Sequence, residues 1–455
     1  MRPSALRSLA LSSLLLAGFA AATTRPQYGG TLRVATRITP ASLDPADNAQ
    51  PDSVARRNLT ALLFDTLVVT DARGHLHPAL AASWQADPGS QRWTFVLRKD
   101  VKFHDGSPLT PDAVAASLRA NNPTWKVVPQ ADSIIIEREA SAPELAADLA
   151  RARNAIVKHN GNSLSGTGPF RLSSFTPGKH LVLAANEESW AGRPYLDAID
   201  IDLGHGGRDQ LISLESGRAD LAEVTPDQTP RAALGSRRIL SSAPIDLITL
   251  VFQRDPQSAD DRNLRSALAF SIDRASIRHV ILQSSGDPTA ALLPNWISGY
   301  AFVFPSAQNL TLARQKRAEV QQTPTWTIAY DSSDPFAELV AQRIILNAKD
   351  AGLTLQPTSS ATPNLRLTRL ALDSADPRIA LTAITSQLNL PSPKLTNAAS
   401  ESLFQAERAA LETQRVVPLF YLPASYVLSP QVRNVTLSLT GTPQLADVWL
   451  GAPAP

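Results

Sequence analysis

Alternating apolar and polar residues mark several short strands along this chain. Residues 29–35 read GGTLRVA, in which a glycine pair precedes an alternating run, and this pattern predicts a turn followed by a strand. Residues 93–97 alternate in the same way and predict a second strand. Both segments are short, as expected for strands that bury one face.

Apolar residues at helical spacing mark three longer segments. Thr110 precedes Pro111 and Asp112, which predicts an N-cap and a helix that runs through Leu118. Residues 260–282 predict one amphipathic helix. Its apolar positions are Leu264, Leu268, Ile272 and Ile277, and its polar positions are Arg262, Arg265 and Arg274.

The third helix begins at Asp334 and ends before Gly352, after which residues 353–355 predict a strand. We expect four apolar residues of this helix to face inward: Phe336, Leu339, Val340 and Ile344. Strands that alternate with helices in this way predict an α/β architecture with mixed sheets.

The first residues predict export. Arg2 and Arg7 precede an apolar run, residues 9–20, that is too short to cross a bilayer as a stable helix. Small residues at 20–22 give a cleavage site, so we expect residues 1–22 to be a signal peptide and the mature chain to be periplasmic. With no cysteine in the chain, we expect neither a lipid anchor nor disulfides.

The charge balance bears on partners. Without Arg2 and Arg7 the chain carries 41 basic and 41 acidic residues, and no basic run stands out. A nucleic-acid partner normally requires a basic surplus, so we expect none. The chain has no second long apolar segment of the kind that would predict insertion into a membrane.

Eight segments in order resemble the family 5 extracellular solute-binding proteins, the oligopeptide-, dipeptide- and nickel-binding receptors of ABC importers. They are GGTL (29–32), LDP (43–45), LFDTL (63–67), PALAASW (78–84), FHDGSPLTPDAV (103–114), GTGPF (166–170), ESGRAD (215–220) and LRSALAFSIDR (264–274). Singly these are weak motifs, but together they cover nearly the whole mature chain.

The resemblance implies a two-lobed periplasmic binding protein fold with mixed sheets, a hinge between the lobes and an inserted subdomain in lobe I. Lobe I would comprise 23–60, 166–253 and 425–455, the subdomain 61–165, and lobe II 254–424. Rotation of the lobes about crossing strands near Gly168 and Phe252 would close the protein on a ligand.

A binding cleft needs apolar walls with a few fixed polar groups, and aromatic residues suit such walls. The candidates are Trp296, Tyr300, Phe420, Tyr421 and Tyr426, for which core packing is an equally good interpretation. Phe420 and Tyr421 lie in a run that resembles the family strand returning to the cleft. By the same resemblance, the loop after the first strand contributes Thr39 and Ser42.

Asp373 is the sharpest single candidate. Counting back from Pro377, it falls where peptide-binding relatives place the aspartate that pairs with the α-ammonium of a peptide. The alternative is a solvated turn residue, because the aromatics that flank this aspartate in relatives are missing here.

Other chemistry has weaker support. The segment GNSLSG (161–166) only loosely resembles a nucleophile elbow, and His75 and His77 lack further ligands at metal spacing. We therefore expect no enzyme activity, no metal and no cofactor.

The predicted function is capture of a small ligand, most simply a short peptide, and delivery to an inner-membrane ABC permease by a monomeric receptor. The alternatives are a sensor-type relative that has lost its ligand and an exported hydrolase.

Overall fold

The computed structural model describes residues 25–47, 52–71, 73–161, 163–234, 236–332, 334–395 and 400–451. The predicted signal peptide, residues 1–22, therefore lies outside the described residues. Strands are β1 (Thr31–Ala35), β2 (Val68–Thr70), β3 (Leu76–Pro78), β4 (Ala81–Ala86), β5 (Arg92–Leu97), β6 (Lys126–Pro129), β7 (Ser133–Glu137), β8 (Lys158–Asn160), β9 (Ser163–Ser165), β10 (Phe170–Thr176), β11 (His180–Ala185), β12 (Ala198–Asp202), β13 (Leu221–Glu223), β14 (Arg238–Phe252), β15 (Asp287–Pro288), β16 (Thr325–Ala329), β17 (Thr354–Pro357), β18 (Leu365–Ala371), β19 (Val416–Leu428), β20 (Val432–Arg433), β21 (Thr436–Leu437), β22 (Pro443–Gln444) and β23 (Trp449–Leu450).

Helices connect and cover these strands. They are α1 (Val54–Leu63), α2 (Pro111–Asn121), α3 (Leu145–Asp148), α4 (Gly207–Glu215), α5 (Thr229–Ala232), α6 (Ala259–Ser271), α7 (Arg274–Val280), α8 (Asn295–Ser298), α9 (Leu310–Ala318), α10 (Pro335–Asp350), α11 (Pro377–Gln387) and α12 (Ser400–Glu412).

One large mixed sheet organises the molecule, in the order β10-β11-β12-β1-β13-β19-β14-β18-β16-β17. We call β10, β11, β12, β1 and β13 the first half of this sheet, and β18, β16 and β17 the second half. The two long strands β19 and β14 lie between the halves and pair antiparallel along most of their length. Two lobes therefore share a pair of crossing strands.

A smaller antiparallel sheet, β4-β5-β7-β6, forms a separate subdomain with helix α2. Its core includes Phe95, Leu118 and Ile134, all without accessible surface. Thr110 caps α2 as predicted, because its hydroxyl accepts from the backbone N–H of Ala113 at 3.2 Å.

Two apolar cores pack against the large sheet. One core packs α6, α7 and α10 against the sheet through residues such as Leu268 and Ile344. The other is continuous across both halves. It joins Leu59 of α1 and Ile199 of β12 to Ile384 of α11.

The predicted single helix over 260–282 is wrong. The structure breaks it into α6 and α7, because Asp273 turns its carboxylate onto the backbone N–H of Ser276 at 2.9 Å and starts a new helix. Two of the polar positions, Arg265 and Arg274, are buried. Arg265 stacks over Phe252, and Arg274 donates to the carbonyl of Pro418 at 2.8 Å.

The third helix is confirmed as α10, and β17 follows it as predicted. Phe336, Val340 and Ile344 are buried, but Leu339 is 49% exposed, so its inward placement is wrong. Leu339 directly precedes Val340, and two successive helical positions point about 100° apart.

The boundaries predicted for lobe I, the subdomain and lobe II stay predictions. No helix among the described residues is long and apolar enough to cross a membrane.

Candidate ligand-binding cleft

Charged side chains from both halves meet where β1 and β13 end, and we call this region between the lobes the cleft. Arg37 follows β1, and its guanidinium forms an ion pair with Asp334 at 3.2 Å. Asp334 precedes α10, which packs on the second half, and its other carboxylate oxygen caps this helix by accepting from the backbone N–H of Phe336. One ion pair thus bridges the cleft.

A second ion pair lies on the crossing strand β14. Arg369 of β18 is diagonal to Asp246 of β14, and its Nε donates to the Asp246 carboxylate at 3.0 Å. Asp246 is buried, whereas the Arg369 side chain is 40% accessible. The charge of Asp246, with smaller contributions from Glu223 and Asp334, raises the pKa of Arg369 and keeps it ionised.

Glu223 ends β13 and is a third acidic group in this cleft. It is partly buried, and within the described part of the chain no hydrogen bond or ion pair involves its carboxylate. Burial raises the pKa of Glu223, while Arg37 and Arg369 act in the opposite direction. A carboxylate that has no ionic partner among the described residues is suited to binding a hydrogen-bond donor or a cation.

Asp373 lies in a different environment, between the second half and the subdomain. Arg151 donates through Nε to its carboxylate at 2.7 Å and also contacts Asp148 at 2.8 Å. Burial opposes the charge on Arg151, but the two carboxylates outweigh burial and raise its pKa. The Asp373 side chain is 7% exposed. A ligand ammonium would have to displace Arg151 to reach it, so the predicted role of Asp373 stays a prediction.

Arg57 of α1 reinforces the same junction. Its guanidinium donates to the carbonyl of Ala371 at 2.8 Å and to that of Leu372, and it pairs with Asp52 at 2.7 Å. Helix α1 is thereby tied to the end of β18.

The structure places Phe420 and Tyr421 in the core. Phe420 has no accessible surface, and Tyr421 is 1% exposed with its hydroxyl donating to the carbonyl of Leu292. Because neither side chain offers surface to the cleft, a ligand contact would require a rearrangement of β19. Tyr426, on the same strand, is also buried and donates to the carbonyl of Gly441 at 3.1 Å.

Trp296 and Tyr300 lie in and after the short helix α8. Trp296 is 38% exposed, and its indole N–H donates to the carbonyl of Pro244 on β14 at 2.8 Å. Tyr300 donates its hydroxyl to Glu407 at 2.8 Å, and burial is the main cause of its raised pKa. Among the predicted aromatic residues, Trp296 thus combines an exposed side chain with a contact to the crossing strand β14.

Thr39 and Ser42 lie in the loop after β1, as predicted. Thr39 is exposed, and the Ser42 hydroxyl accepts from the backbone N–H of Asp44 at 3.1 Å. The loop follows Arg37 directly, so it adjoins the cleft. The contacts of these two residues with a ligand stay predictions.

Sequence reasoning missed the cluster of Arg37, Glu223, Asp246, Asp334 and Arg369. A signal was present, because Arg37 and Glu223 stand at the ends of two strands, and ligands of α/β sheets bind at carboxyl ends. The partners from β14, β18 and α10 could not be read, because their proximity depends on how the chain crosses between the halves.

One group among the described residues has metal-ligand composition: His180, Asp200 and Asp202 on β11 and β12. The two imidazole nitrogens face different carboxylates, each at 3.2 Å. This partly exposed arrangement is typical of a surface ion pair, and it lies beside β1, where Asp202 is the register partner of Ala35. His75 and His77 are exposed and both contact Asp71.

Known proteins resemble this chain in sequence. Residues 75–403 match the family described as bacterial extracellular solute-binding proteins, family 5 Middle. A probable D,D-dipeptide-binding periplasmic protein, DdpA, of Escherichia coli is 24% identical over 327 residues, which cover 65% of this chain and 63% of that protein. The chain thus aligns with just under two thirds of the length of this relative.

Solved structures share the fold over almost the entire chain. A dipeptide-binding protein from Pseudoalteromonas in complex with Met-Leu has a TM-score of 0.80 at 16% identity, over 92% of this chain and all of that one. NikA from Staphylococcus aureus in complex with Ni(L-His)2 has a TM-score of 0.77 at 17% identity, over 92% and 99%. The predicted two-lobed periplasmic binding protein fold is confirmed, and the chain belongs to the family 5 bacterial extracellular solute-binding proteins.

Proposed function

We propose that this protein captures a small ligand, most simply a short peptide, between its two halves and delivers it to an inner-membrane ABC permease. The observation that carries the proposal is the cleft at the carboxyl ends of β1 and β13. Its floor holds charged groups from both halves, and the Arg37–Asp334 ion pair spans it at 3.2 Å. Such a cleft can couple ligand binding to closure.

Peptides are favoured among possible ligands by the relatives. The D,D-dipeptide-binding protein and the Met-Leu complex are named for dipeptides, whereas the Staphylococcus protein carries nickel held by histidine. Within the described residues, the cleft cluster contains no histidine or cysteine, which bare nickel prefers.

The remaining parts of the proposal follow the sequence. The lobes would have the predicted boundaries, 23–60 with 166–253 and 425–455, and 254–424, with 61–165 as the inserted subdomain. The receptor would act as a monomer in the periplasm after removal of residues 1–22. It would bind its ligand without transforming it.

Binding can be tested before the ligand is identified. Gently purified protein is denatured, and the released small molecules are identified by mass spectrometry. The identified compound, or a dipeptide library, is then added to refolded protein, and both melting temperature and radius of gyration are measured.

We expect the melting temperature to rise and the radius of gyration to fall with the ligand. Release of no compound, together with unchanged melting and scattering across dipeptides, nickel–histidine and sugars, would contradict the proposal.

A further inference from the structure

The cleft contains one more acidic group than it has basic groups. Arg37 pairs with Asp334, and Arg369 pairs with Asp246, so each guanidinium already has its own carboxylate. Glu223 is the remaining charge, and it interacts with both guanidinium groups only at longer range. The cluster is therefore short of one positive charge.

Sheet register places a second polar group beside Glu223. Ala35 of β1 is paired with Ala222 of β13, so Thr36 lies next to Glu223 and on the same face of the sheet. Thr36 is 6% exposed, and its hydroxyl has no hydrogen-bond partner among the residues that the structure describes. A buried polar group in this state costs free energy until it is partnered.

A third polar group comes from α1 above the sheet. Tyr426 is the register partner of Glu223 and donates its hydroxyl hydrogen to the carbonyl of Gly441. That hydroxyl therefore accepts from the Asn58 amide N–H at 3.2 Å. The bond fixes the orientation of the Asn58 amide, and no described residue partners its buried carbonyl oxygen.

We infer that Glu223, Thr36 and Asn58 form a subsite for a cationic amine of the ligand. A primary ammonium has three donors and no acceptor, so it matches a carboxylate, a hydroxyl and an amide oxygen. It also supplies the missing positive charge. The inference deepens the proposed function and depends on it, since it names the ligand class as small molecules with a free amine.

This subsite differs from the predicted role of Asp373. The Asp373 carboxylate is neutralised by Arg151, whereas Glu223 has no ion pair with any described residue. A charge-assisted hydrogen bond contributes more when the acceptor has no ionic partner to displace. The ligand amine therefore binds at Glu223 rather than at Asp373.

The test uses two probe mixtures and four proteins. The probes are a mixture of alanyl dipeptides, Ala-Xaa, and the same mixture N-acetylated. The proteins are the wild type, Glu223→Gln, Asp373→Asn and a control, Glu215→Gln, whose exposed carboxylate pairs with Arg231. Bound species are identified by mass spectrometry after rapid desalting, and affinities of enriched dipeptides are measured by calorimetry.

We expect Glu223→Gln to weaken binding of free-amine dipeptides by at least about tenfold, as loss of one charge-assisted hydrogen bond implies. N-acetylation should cause a similar loss, and the two should not add. If an N-acetylated lysine dipeptide stays enriched, the amine at the subsite is a side-chain amine rather than the α-ammonium.

Unchanged binding by Glu223→Gln, or a tenfold loss in Asp373→Asn alone, would overturn the subsite and leave the proposed function intact. Equal losses in Glu223→Gln and Glu215→Gln would overturn it too, since the second residue is remote from the cleft. Absence of binding by the wild type to both mixtures, with a different compound released from the purified protein, would refute the amine ligand but not the receptor.

Discussion

Asp373, between the second half and the subdomain, and Glu223, at the end of β13, are two partly enclosed carboxylates that differ in what neutralises them. Asp373 receives two donors from Arg151, which is itself shared with Asp148. Glu223 has no ionic partner among the described residues, and burial raises its pKa. A carboxylate that is paired with a cation of the protein helps to hold elements together, whereas a carboxylate without such a cation is available to a ligand.

Glu407 is an instructive intermediate case. It is fully buried on α12, and its carboxylate accepts from the backbone N–H of Leu293 at 3.0 Å and from the Tyr300 hydroxyl at 2.8 Å. Neutral donors alone do not offset burial, which raises its pKa to about 7. The three carboxylates therefore differ more in the charge of their partners than in their burial.

The largest expected effect is a loss of stability when the ion pair between Arg151 and Asp373 is removed. Arg151→Met leaves Asp373 and Asp148 without their cation in a nearly buried site, so we expect a loss of about 3 to 5 kcal/mol in the free energy of unfolding. Urea denaturation at pH 7 measures it. The double variant Arg151→Met/Asp373→Leu should recover much of the loss, and a loss below about 1 kcal/mol in the single variant would contradict a buried pair.

The next effect is a pH dependence of stability from Glu407. Its folded pKa of about 7 exceeds its ordinary value of 4.5, so the folded state holds a proton that the unfolded state has released. Stability should therefore fall by about 3 kcal/mol as pH rises from 4.5 to 7. Glu407→Gln should flatten the curve, whereas Glu412→Gln, exposed on the same helix, should leave it unchanged.

Glu223 should add a pH dependence of stability with the same sign as that of Glu407. Since its pKa is raised, ionisation destabilises the empty protein above its ordinary titration range. Glu223→Gln should be more stable than the wild type at about pH 8 and equal to it at about pH 4. Lower stability of this variant at the higher pH would indicate that Glu223 has a structural partner.

The smallest effect concerns the ion pair across the cleft. The Arg37 side chain is 39% exposed, and pairs of this kind contribute about 0.2 to 1 kcal/mol. Arg37→Ala should shift the empty protein towards the open form by about fivefold at most. Small-angle scattering should then report a larger radius of gyration without ligand, and identical profiles would exclude this bridge as a determinant of closure.

Local patterns predicted local structure well. The glycine pair before β1 and the Thr110 cap of α2 act within a few residues, so the sequence contains their whole cause. The helix over 260–282 failed because Asp273 can serve either as a polar surface residue or as a cap, and periodicity does not distinguish these roles. The burial of Arg274 could not be predicted locally either, since its partner, the carbonyl of Pro418, is 144 residues away.

The candidate site was harder to predict. The family resemblance assigned Asp373 to the α-ammonium of a peptide, but it gave no sign of Arg151, the partner of Asp373, which lies in the subdomain 222 residues away. Phe420 and Tyr421 have the composition of a cleft wall and the burial of a core strand. Which face of β19 meets the cleft depends on its pairing with β14, and no local pattern encodes that register.

The apolar core that runs without interruption from α1 through the crossing strands to α11 affects how the protein melts. Neither lobe can unfold alone without exposing apolar surface on the other, so heating should produce one cooperative transition whose calorimetric and van't Hoff enthalpies agree. Because the subdomain has its own core, it can melt separately. A compound bound in the cleft should therefore shift the whole main transition to a higher temperature.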